Sequence, residues 1–538
     1  MRTPLVIGMA AVLAGTVAVT PASAETGLMY MEPVASGVTM KALATAGDVI
    51  GGVMWQGVPD GIGVLRDGDD LTVFINHELS ATNAVASTIA RANGAATAST
   101  VSALNLDTAS MSVTAARDLL STVSWYNYAT GSYGSTPSAP AGAAAKDEFG
   151  SPNHTKALNR FCSSHMVQPG DLAYTVTDAK GRSVTYGHTG PAYFTGEEGG
   201  DESRAFGMDN AGNLVQLPRL GLAAWENFLV APKSGKRTVV MGNEDGSATD
   251  SQLWMYVGEK TTEGDWVTRA GLSNGQLYVM SINGIANDNV FRATVAKGSA
   301  SQVSFNAIDH TVNGVQQNAS ARALGSELAR VEDGAFDPNN PNDYYFVTTE
   351  SNKDPKATAP NPATPAVSRD GGALWRLRFL DITNPMAGAT LTMLLDGSEV
   401  PYLSKPDNID VDLAGNVLIQ EDPGNNDHIA RVVSYRISDG KLVTVAKFVD
   451  QYFKPGSPTL ITRDEESSGI TDVSEFLRKG ESDKASYYVL DAQVHASTLA
   501  SRPDLAGSSA ATKAALAQAI EGGQLYLMTV PDWSKAYG

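Results

Sequence analysis

The chain is 538 residues long, carries a formal net charge of −19 and contains one cysteine, Cys162. A surface of that sign repels phosphate backbones, so nucleic acid is excluded as an expected partner, while divalent cations are attracted. A single cysteine excludes an internal disulfide; its thiol is either buried and inert or held by a metal.

The first 24 residues read as a secretory signal peptide. Arg2 precedes an apolar stretch from Leu5 to Val19, and Ala22-Ser23-Ala24 supplies small residues at a cleavage position. Gly and Ala dilute the apolar run, which favours a cleaved leader over a membrane anchor. No second arginine stands beside Arg2, so a twin-arginine motif is missing. No later stretch approaches the ~20 apolar residues that span a bilayer. The expected location is secreted, or periplasmic and cell-envelope.

From about Gly51 onward, short β-branched and aromatic runs alternate with Gly, Asn and Asp. Leu71–Ile75, Leu253–Val257, Gln276–Val279, Tyr344–Val347, Leu374–Phe379, Val417–Gln420, Tyr487–Leu490 and Gln524–Met528 read as strands. One unit recurs: an acidic or Asx start, a strand, a turn, a second strand, then another carboxylate. Asn227–Glu244, Glu332–Glu350 and Asp407–Asp422 are copies, and Glu466–Asp491 is a looser one. Closing strands with a bulky aromatic follow at Trp254, Trp375 and Tyr526. Repeated two-plus-two strand units predict an all-β fold, a β-propeller of about six blades with a few helical or loop insertions. Residues 25–538 are expected to form a single propeller domain. The Ala/Ser/Thr-rich stretch near 80–125, part of it helical, and the low-complexity stretch near 128–150 read as its insertions. Ala510–Ile520 is a short helix candidate stopped by Gly522-Gly523.

The acids fall at strand ends. Glu78, Glu197-Glu198, Glu244-Asp245, Glu350, Glu421-Asp422 and Asp491 follow strands, whereas Glu226, Glu332-Asp333, Asp407 and Glu465-Glu466 open them. The first strand of each propeller blade lines the axis, so these acids would crowd like charges at a channel mouth. Uncompensated, that costs on the order of several kcal/mol. Bound cations remove the penalty, and Asp, Glu and Asn oxygens suit calcium best. Solvated turns explain Asp and Asn, but not paired glutamates. The histidines, His77, His154, His165, His188, His310, His428 and His495, form no familiar metal motif. His77 and His495 are expected nearest the axis, although period-2 alternation sets His77 and Glu78 on opposite faces. No nucleophile elbow, P-loop or dinucleotide fingerprint stands in its required context, so a serine hydrolase is poorly supported.

The ordered set Asn76-His-Glu78, Cys162, Gly196-Glu-Glu198, Trp225-Glu-Asn227, Gly242-Asn-Glu-Asp245 and Arg330-Val-Glu-Asp-Gly334 resembles the PhoX-type alkaline phosphatase family. Pro406-Asp-Asn408, Gln420-Glu-Asp-Pro-Gly424 and Glu465-Glu-Ser-Ser-Gly469 continue the resemblance, which runs from about Gly51 to Val530. It implies a β-propeller, an exported phosphomonoesterase, and a central cluster of iron and calcium held by carboxylates and one cysteine. On that resemblance Glu78, Cys162, Glu197 or Glu198, Glu332, and Glu465 or Glu466 are ligand candidates. Asp407, Asn408 and Glu421 are further oxygen donors. The missing twin-arginine motif, Ser163-Ser-His165 after the cysteine and Gly190-Pro-Ala-Tyr193 before the paired acids depart from the family pattern and mark a divergent branch.

The expected function is an exported metal-dependent phosphoesterase hydrolysing a small phosphorylated substrate, as a monomer. Arg204, Lys405 and Arg431 are the candidates by position for holding phosphate. Two alternatives stand beside it: a non-catalytic calcium-binding propeller of the cell envelope, and a phytase-like or lactonase-like propeller hydrolase that needs no thiol ligand.

Overall fold

Among the described residues, six antiparallel strand groups follow one another along the chain, each opening on a strand that faces a common axis. These inner strands are β1 (Pro59–Asp67), β2 (Phe161–Val167), β3 (Trp225–Val230), β4 (Val331–Asp337), β5 (Pro406–Val411) and β6 (Glu465–Asp472). Each hydrogen-bonds to the next strand of its own blade: Asp70–His77, Ala192–Glu197, Arg237–Glu244, Asn340–Thr348, Asn416–Glu421 and Ser486–Ser497. Consecutive inner strands pack side by side, and β6 packs against β1, so the ring closes. The computed structural model describes residues 27–247, 249–350 and 371–538, with the backbone of 360–361 and 364–368. The expected leader, residues 1–24, lies outside the described residues.

Strands from near the start of the described chain seal the ring. Thr39–Thr45 pairs with Glu521–Val530 in the sixth blade, and Met31–Pro33 pairs with Leu442–Phe448 in the fifth. Sealing of this kind covers edges that would otherwise offer unpaired backbone groups. The third and fourth blades share Ala300–Ile308, which bridges Gln276–Ile282 and Ala389–Leu395 into one nine-stranded sheet. Between the blades lie apolar clusters anchored by fully buried Trp225, Trp254 and Trp375. Burying a large side chain of this kind contributes about 2–3 kcal/mol.

The stretch near 80–125 holds only short 3-10 turns, Ala86–Thr88 and Ala92–Gly94, in place of longer helix. Its Thr100–Asp107 and Ser112–Asp118 are the outer strands of the first blade, stacked on Asp70–His77. Their small residues conceal the usual strand signature. Thr122–Asn127 pairs in parallel with Asn213–Gln216 of the second blade. Ala510–Leu516 is helical as expected, but Gly522 and Gly523 belong to the final strand. The turn before them is made by Ile520, with φ of 71°.

One irregularity recurs in every blade. The pairing of each inner strand slips early: between Pro59 and Ile62, Phe161 and Ser164, Trp225 and Asn227, Val331 and Gly334, Pro406 and Ile409, and Ser467 and Ile470. A bulge leaves a residue unpaired and re-aims its side chain. Asp60, Cys162, Glu226, Glu332 and Asp407 sit within these bulges, and Glu466 stands just ahead of the sixth.

Candidate metal centre

The bulged starts of the inner strands, together with the ends of the strands paired to them, deliver four overlapping groups of ligand atoms. Asp60, Cys162 and Glu226 form one; Glu78, Cys162 and Glu198 a second; Glu226, Glu332 and Asp407 a third; Asp407, Asp422 and Glu466 a fourth. Within each group the ligand atoms lie inside 4.8 Å of one another. Cys162, Glu226 and Asp407 each belong to two groups, so the four make a continuous arc around the axis.

Burial raises the proton affinity of Asp60, Glu226, Glu332 and Asp407 well above the ordinary carboxylate range, and neighbouring carboxylates raise it further. The Cys162 thiol is raised by the same two causes. Without a cation such an arc holds its protons instead of its charge. Two oxygens of the arc, Glu226 Oε1 and Asp407 Oδ1, and two amide oxygens, Asn408 Oδ1 and Gln493 Oε1, are buried and have no hydrogen-bond partner among the described residues. Gln493 Nε2 donates toward Asp60 Oδ2 at 3.0 Å, Glu78 Oε2 at 3.1 Å and Glu466 Oε1 at 3.3 Å. An amide has two protons for these three acceptors, so it satisfies them incompletely. Unpartnered buried oxygens around a charge-poor centre are what a cation site requires. The all-oxygen groups fit a hard ion such as calcium, and the two groups containing the Cys162 sulfur fit a softer transition metal.

Cations of the chain itself frame the arc. Arg160 Nη2 bridges Glu78 Oε1 at 2.7 Å and Glu198 Oε2 at 2.6 Å. Asp245 stands beside Glu198 and raises its proton affinity, and Arg330 grips Asp245 through Nε at 2.7 Å and Nη2 at 2.6 Å. Arg330 also reaches Glu332 Oε1 at 3.1 Å, and Thr349 donates to that oxygen at 2.7 Å. Arg160, Arg330 and Lys405 stand two residues before Cys162, Glu332 and Asp407 respectively. All three have left-handed backbone, with φ of 51°, 62° and 48°. Such conformations are costly outside glycine and cluster at functional sites. The three side chains line a cavity of about 1230 Å³ that also takes in Glu198, Asp245 and Asp422.

Of the residues expected from sequence, Glu78, Cys162, Glu198, Glu332, Asp407 and Glu466 are brought together. Asn408 lies at their edge, donating to Ser163 Oγ at 3.1 Å and Asp60 Oδ1 at 3.4 Å. Glu197, Glu421 and Glu465 fall outside the four groups, for one physical reason. In each adjacent pair, strand alternation turns one acid to the axis and the other between blades. Glu197 is clamped by Arg204 Nε and Nη2, both at 2.7 Å. Glu421 is held by Arg431 at 2.6 and 2.9 Å and by His428 at 3.0 Å. Glu465 accepts from Ala430 N at 3.2 Å, and burial pushes it up to about 8. The same pairs correct two expected phosphate contacts. Arg204 is fully buried, stacked on Trp125 at 4.7 Å, and also donates to the Thr155 and Ala157 carbonyls. Arg431 is spent on Glu421 and the Tyr402 carbonyl. Lys405 does reach the cavity, donating to the Pro423 carbonyl at 2.7 Å.

Asp60, Arg160 and Arg330 are not among the site residues expected from sequence, and Glu226 and Asp422 are expected at the channel mouth but not as ligands. Asp60 hides in Pro59-Asp-Gly61, which reads as a turn. The usable signal is an offset of two: Arg160-Phe-Cys162, Arg330-Val-Glu332 and Lys405-Pro-Asp407, with Val58-Pro-Asp60 and Ala224-Trp-Glu226 as the copies lacking the base. His77 turns away from the axis, its Nδ1 donating to the Gly57 carbonyl at 2.9 Å and its Nε2 accepting from Ser102. His495 lies 3.7 Å from Glu466 and 2.9 Å from Glu521.

No curated protein matches the chain. A family model described as alkaline phosphatase PhoX matches residues 209–475. Among solved structures, Pseudomonas fluorescens PhoX in complex with vanadate, a transition state analogue, aligns over 95% of this chain and 98% of its own, with a TM-score of 0.60 at 12% identity. A GH43 β-1,3-galactosidase aligns over 65% of this chain and 90% of its own, with a TM-score of 0.30 at 10% identity. A Xanthomonas campestris gluconolactonase aligns over 93% and 97%, with a TM-score of 0.30 at 11% identity. The likeness to the first of these bears out the propeller fold read from the repeats, and the resemblance read from the ordered motifs holds.

Proposed function

We infer, from the chain's place as a divergent member of the PhoX-type alkaline phosphatase family, that its cavity is the active site of an exported, metal-dependent phosphomonoesterase. The observation that carries this reading is the meeting of two features in one cavity. An arc of buried carboxylates reaches the cavity through Glu198 and Asp422, and Arg160, Arg330 and Lys405 line the same cavity. A phosphomonoester dianion needs positive charge on its non-bridging oxygens, and the transition state needs it more.

Glu226, Glu332, Asp407, Asp422 and Glu466 would hold calcium, and Cys162 with Asp60, Glu78 and Glu198 would hold iron. When bound, such ions polarise phosphoryl oxygens and acidify water. The chain's own groups do the rest. The ligand carboxylates stay ionised, so they act as scaffold and not as proton carriers. Arg160 is anchored through Nη2 on Glu78 and Glu198, which holds its guanidinium at the cavity lining. Arg330 is fixed by Asp245, which sets its guanidinium plane at the cavity wall. Hydrolysis forms a bond from a water oxygen to phosphorus as the phosphorus–ester oxygen bond breaks. The alcohol leaves with one of the water's protons, and phosphate remains.

The test is turnover of an aryl phosphate by the full chain loaded with calcium and iron. Activity removed by chelator and restored by the two ions supports the reading; no turnover with both ions bound overturns it.

A further inference from the structure

The loop from Asp422 to His428 borders the cavity as one stapled piece. Asp422 Oδ1 accepts from Gly424 N at 2.9 Å, and Gly424 takes the turn with φ of 65°. Asn426 Nδ2 donates to the Pro423 carbonyl at 2.9 Å, while Asn426 Oδ1 accepts from His428 N at 2.6 Å. Arg463 fastens the loop through Asp427 at 2.8 Å and Asn425 at 3.0 Å. A loop tied at so many points delivers its last side chain, His428, to a fixed place.

His428 is the one histidine lining the cavity among the described residues; the other ionisable groups there are carboxylates, lysines and arginines. Imidazole is the side chain that exchanges a proton near neutral pH without a special environment. Its Nε2 lies 3.0 Å from Glu421 Oε2, and an ionised carboxylate only accepts, so Nε2 carries the proton of that bond. Glu421 is fully buried. Burial works against its charge, but Arg431 and His428 outweigh burial and hold its carboxyl below the ordinary range. Nδ1 is left over. It makes no hydrogen bond among the described residues and is not closed off from solvent, and its side chain is 22% exposed. A histidine pinned by one nitrogen on a buried carboxylate, with the other nitrogen open, is built to pass a proton to a bound substrate. Asp422, at the head of the loop, belongs to the arc, so an ester seated there carries its alcohol past the loop that ends at His428.

Resting on the phosphomonoesterase reading above, we propose that His428 is the general acid that protonates the leaving alcohol, with Glu421 as its positioning residue. Both ring nitrogens carry a proton at the start. Nε2–H stays on Glu421, and the Nδ1 proton passes to the ester oxygen as the phosphorus–oxygen bond breaks. The attacking water gives up a proton as its oxygen bonds to phosphorus, and that proton restores the imidazolium. Alkyl phosphates, whose alkoxides leave poorly, depend on this transfer; a nitrophenyl phosphate, whose phenolate departs as the anion, does not.

The test compares kcat for β-glycerophosphate and p-nitrophenyl phosphate in the calcium- and iron-loaded protein. His428→Asn should slow the alkyl ester about a hundredfold and the nitrophenyl ester less than about threefold. Equal slowing of both esters, or of neither, overturns the proposal. A second measurement needs no variant: carbethoxylation by diethyl pyrocarbonate, located by mass spectrometry, should label His428 and be lost when inorganic phosphate fills the cavity. Labelling of His428 that phosphate does not change overturns the proposal. If the unmutated protein hydrolyses neither ester, the phosphatase reading fails on its own. Phosphate protection of His428 then still supports its place against a phosphoryl group, and lack of protection overturns it.

Discussion

The Cys162 thiol donates to Asp60 Oδ2 at 3.2 Å, joining two blades whose residues stand 102 positions apart. Both groups sit in bulges of neighbouring inner strands; burial, then Glu466 and Glu78, raise the proton affinity of Asp60, and burial, then Asp60, raise that of the Cys162 thiol. The thiolate that binds a metal is therefore formed only when a cation replaces the shared proton. Cys162→Ala should remove the softer metal and lower phosphatase activity by about a hundredfold or more, while calcium content persists. Elemental analysis and an aryl phosphate assay of the variant check this together.

Arg160→Lys keeps a positive charge beside Glu78 and Glu198 but loses the guanidinium that bridges them. It should raise KM for an aryl phosphate about tenfold with little change in Tm. Arg330→Ala goes further, because it strands Asp245 and Glu332 in the interior. Stability should fall by about 3–5 kcal/mol in the metal-free protein, measured by denaturant unfolding.

Arg204 separates structural from catalytic charge. Its removal leaves Glu197 buried and unpaired between blades, which costs about 3–5 kcal/mol. Arg204→Ala should accordingly lower Tm and leave the metal content of the folded fraction unchanged. A loss of metal without a loss of stability would place Arg204 in the site after all.

His77 supplies a pH dependence of known sign. Burial drives its proton affinity down to about 3, against about 6.5 in an unfolded chain. Between those values the unfolded chain binds the extra proton, so stability rises with pH through that window and is lost as pH falls. From pH 7 to pH 4.5 this one group removes about 2.5 kcal/mol. Denaturant unfolding of His77→Asn should show a pH dependence flatter by that amount.

Much of this architecture is legible in the sequence because strand periodicity and the repeated acidic unit are local signals. Val417–Gln420 and Tyr344–Val347 declare themselves as strands, and Trp254 and Trp375 mark the third strands of their blades. The outer strands of the first blade do not, since Ala, Ser, Asn and Asp dilute their few β-branched residues. The arc was half visible. Paired acids point to the axis as pairs, but only the bulge and the strand register decide which member faces it, and so Glu198 rather than Glu197, and Asp422 rather than Glu421. Arginines were misjudged for a related reason. Arg204 and Arg431 lie near the right acids in sequence, but each pairs with the member turned away from the axis. Arg160 and Arg330 matter because a left-handed residue ahead of a bulge brings them to the cavity, and no composition reports that.

The central claim is that the carboxylate arc holds cations that make the cavity a phosphatase. Metal content measured on protein purified from its native compartment, alongside aryl phosphate turnover of the same sample, tests it most directly. Calcium and iron together, with turnover abolished when both are stripped and recovered when both return, is the predicted result. Protein free of bound metal, or turnover indifferent to its removal, would contradict the account.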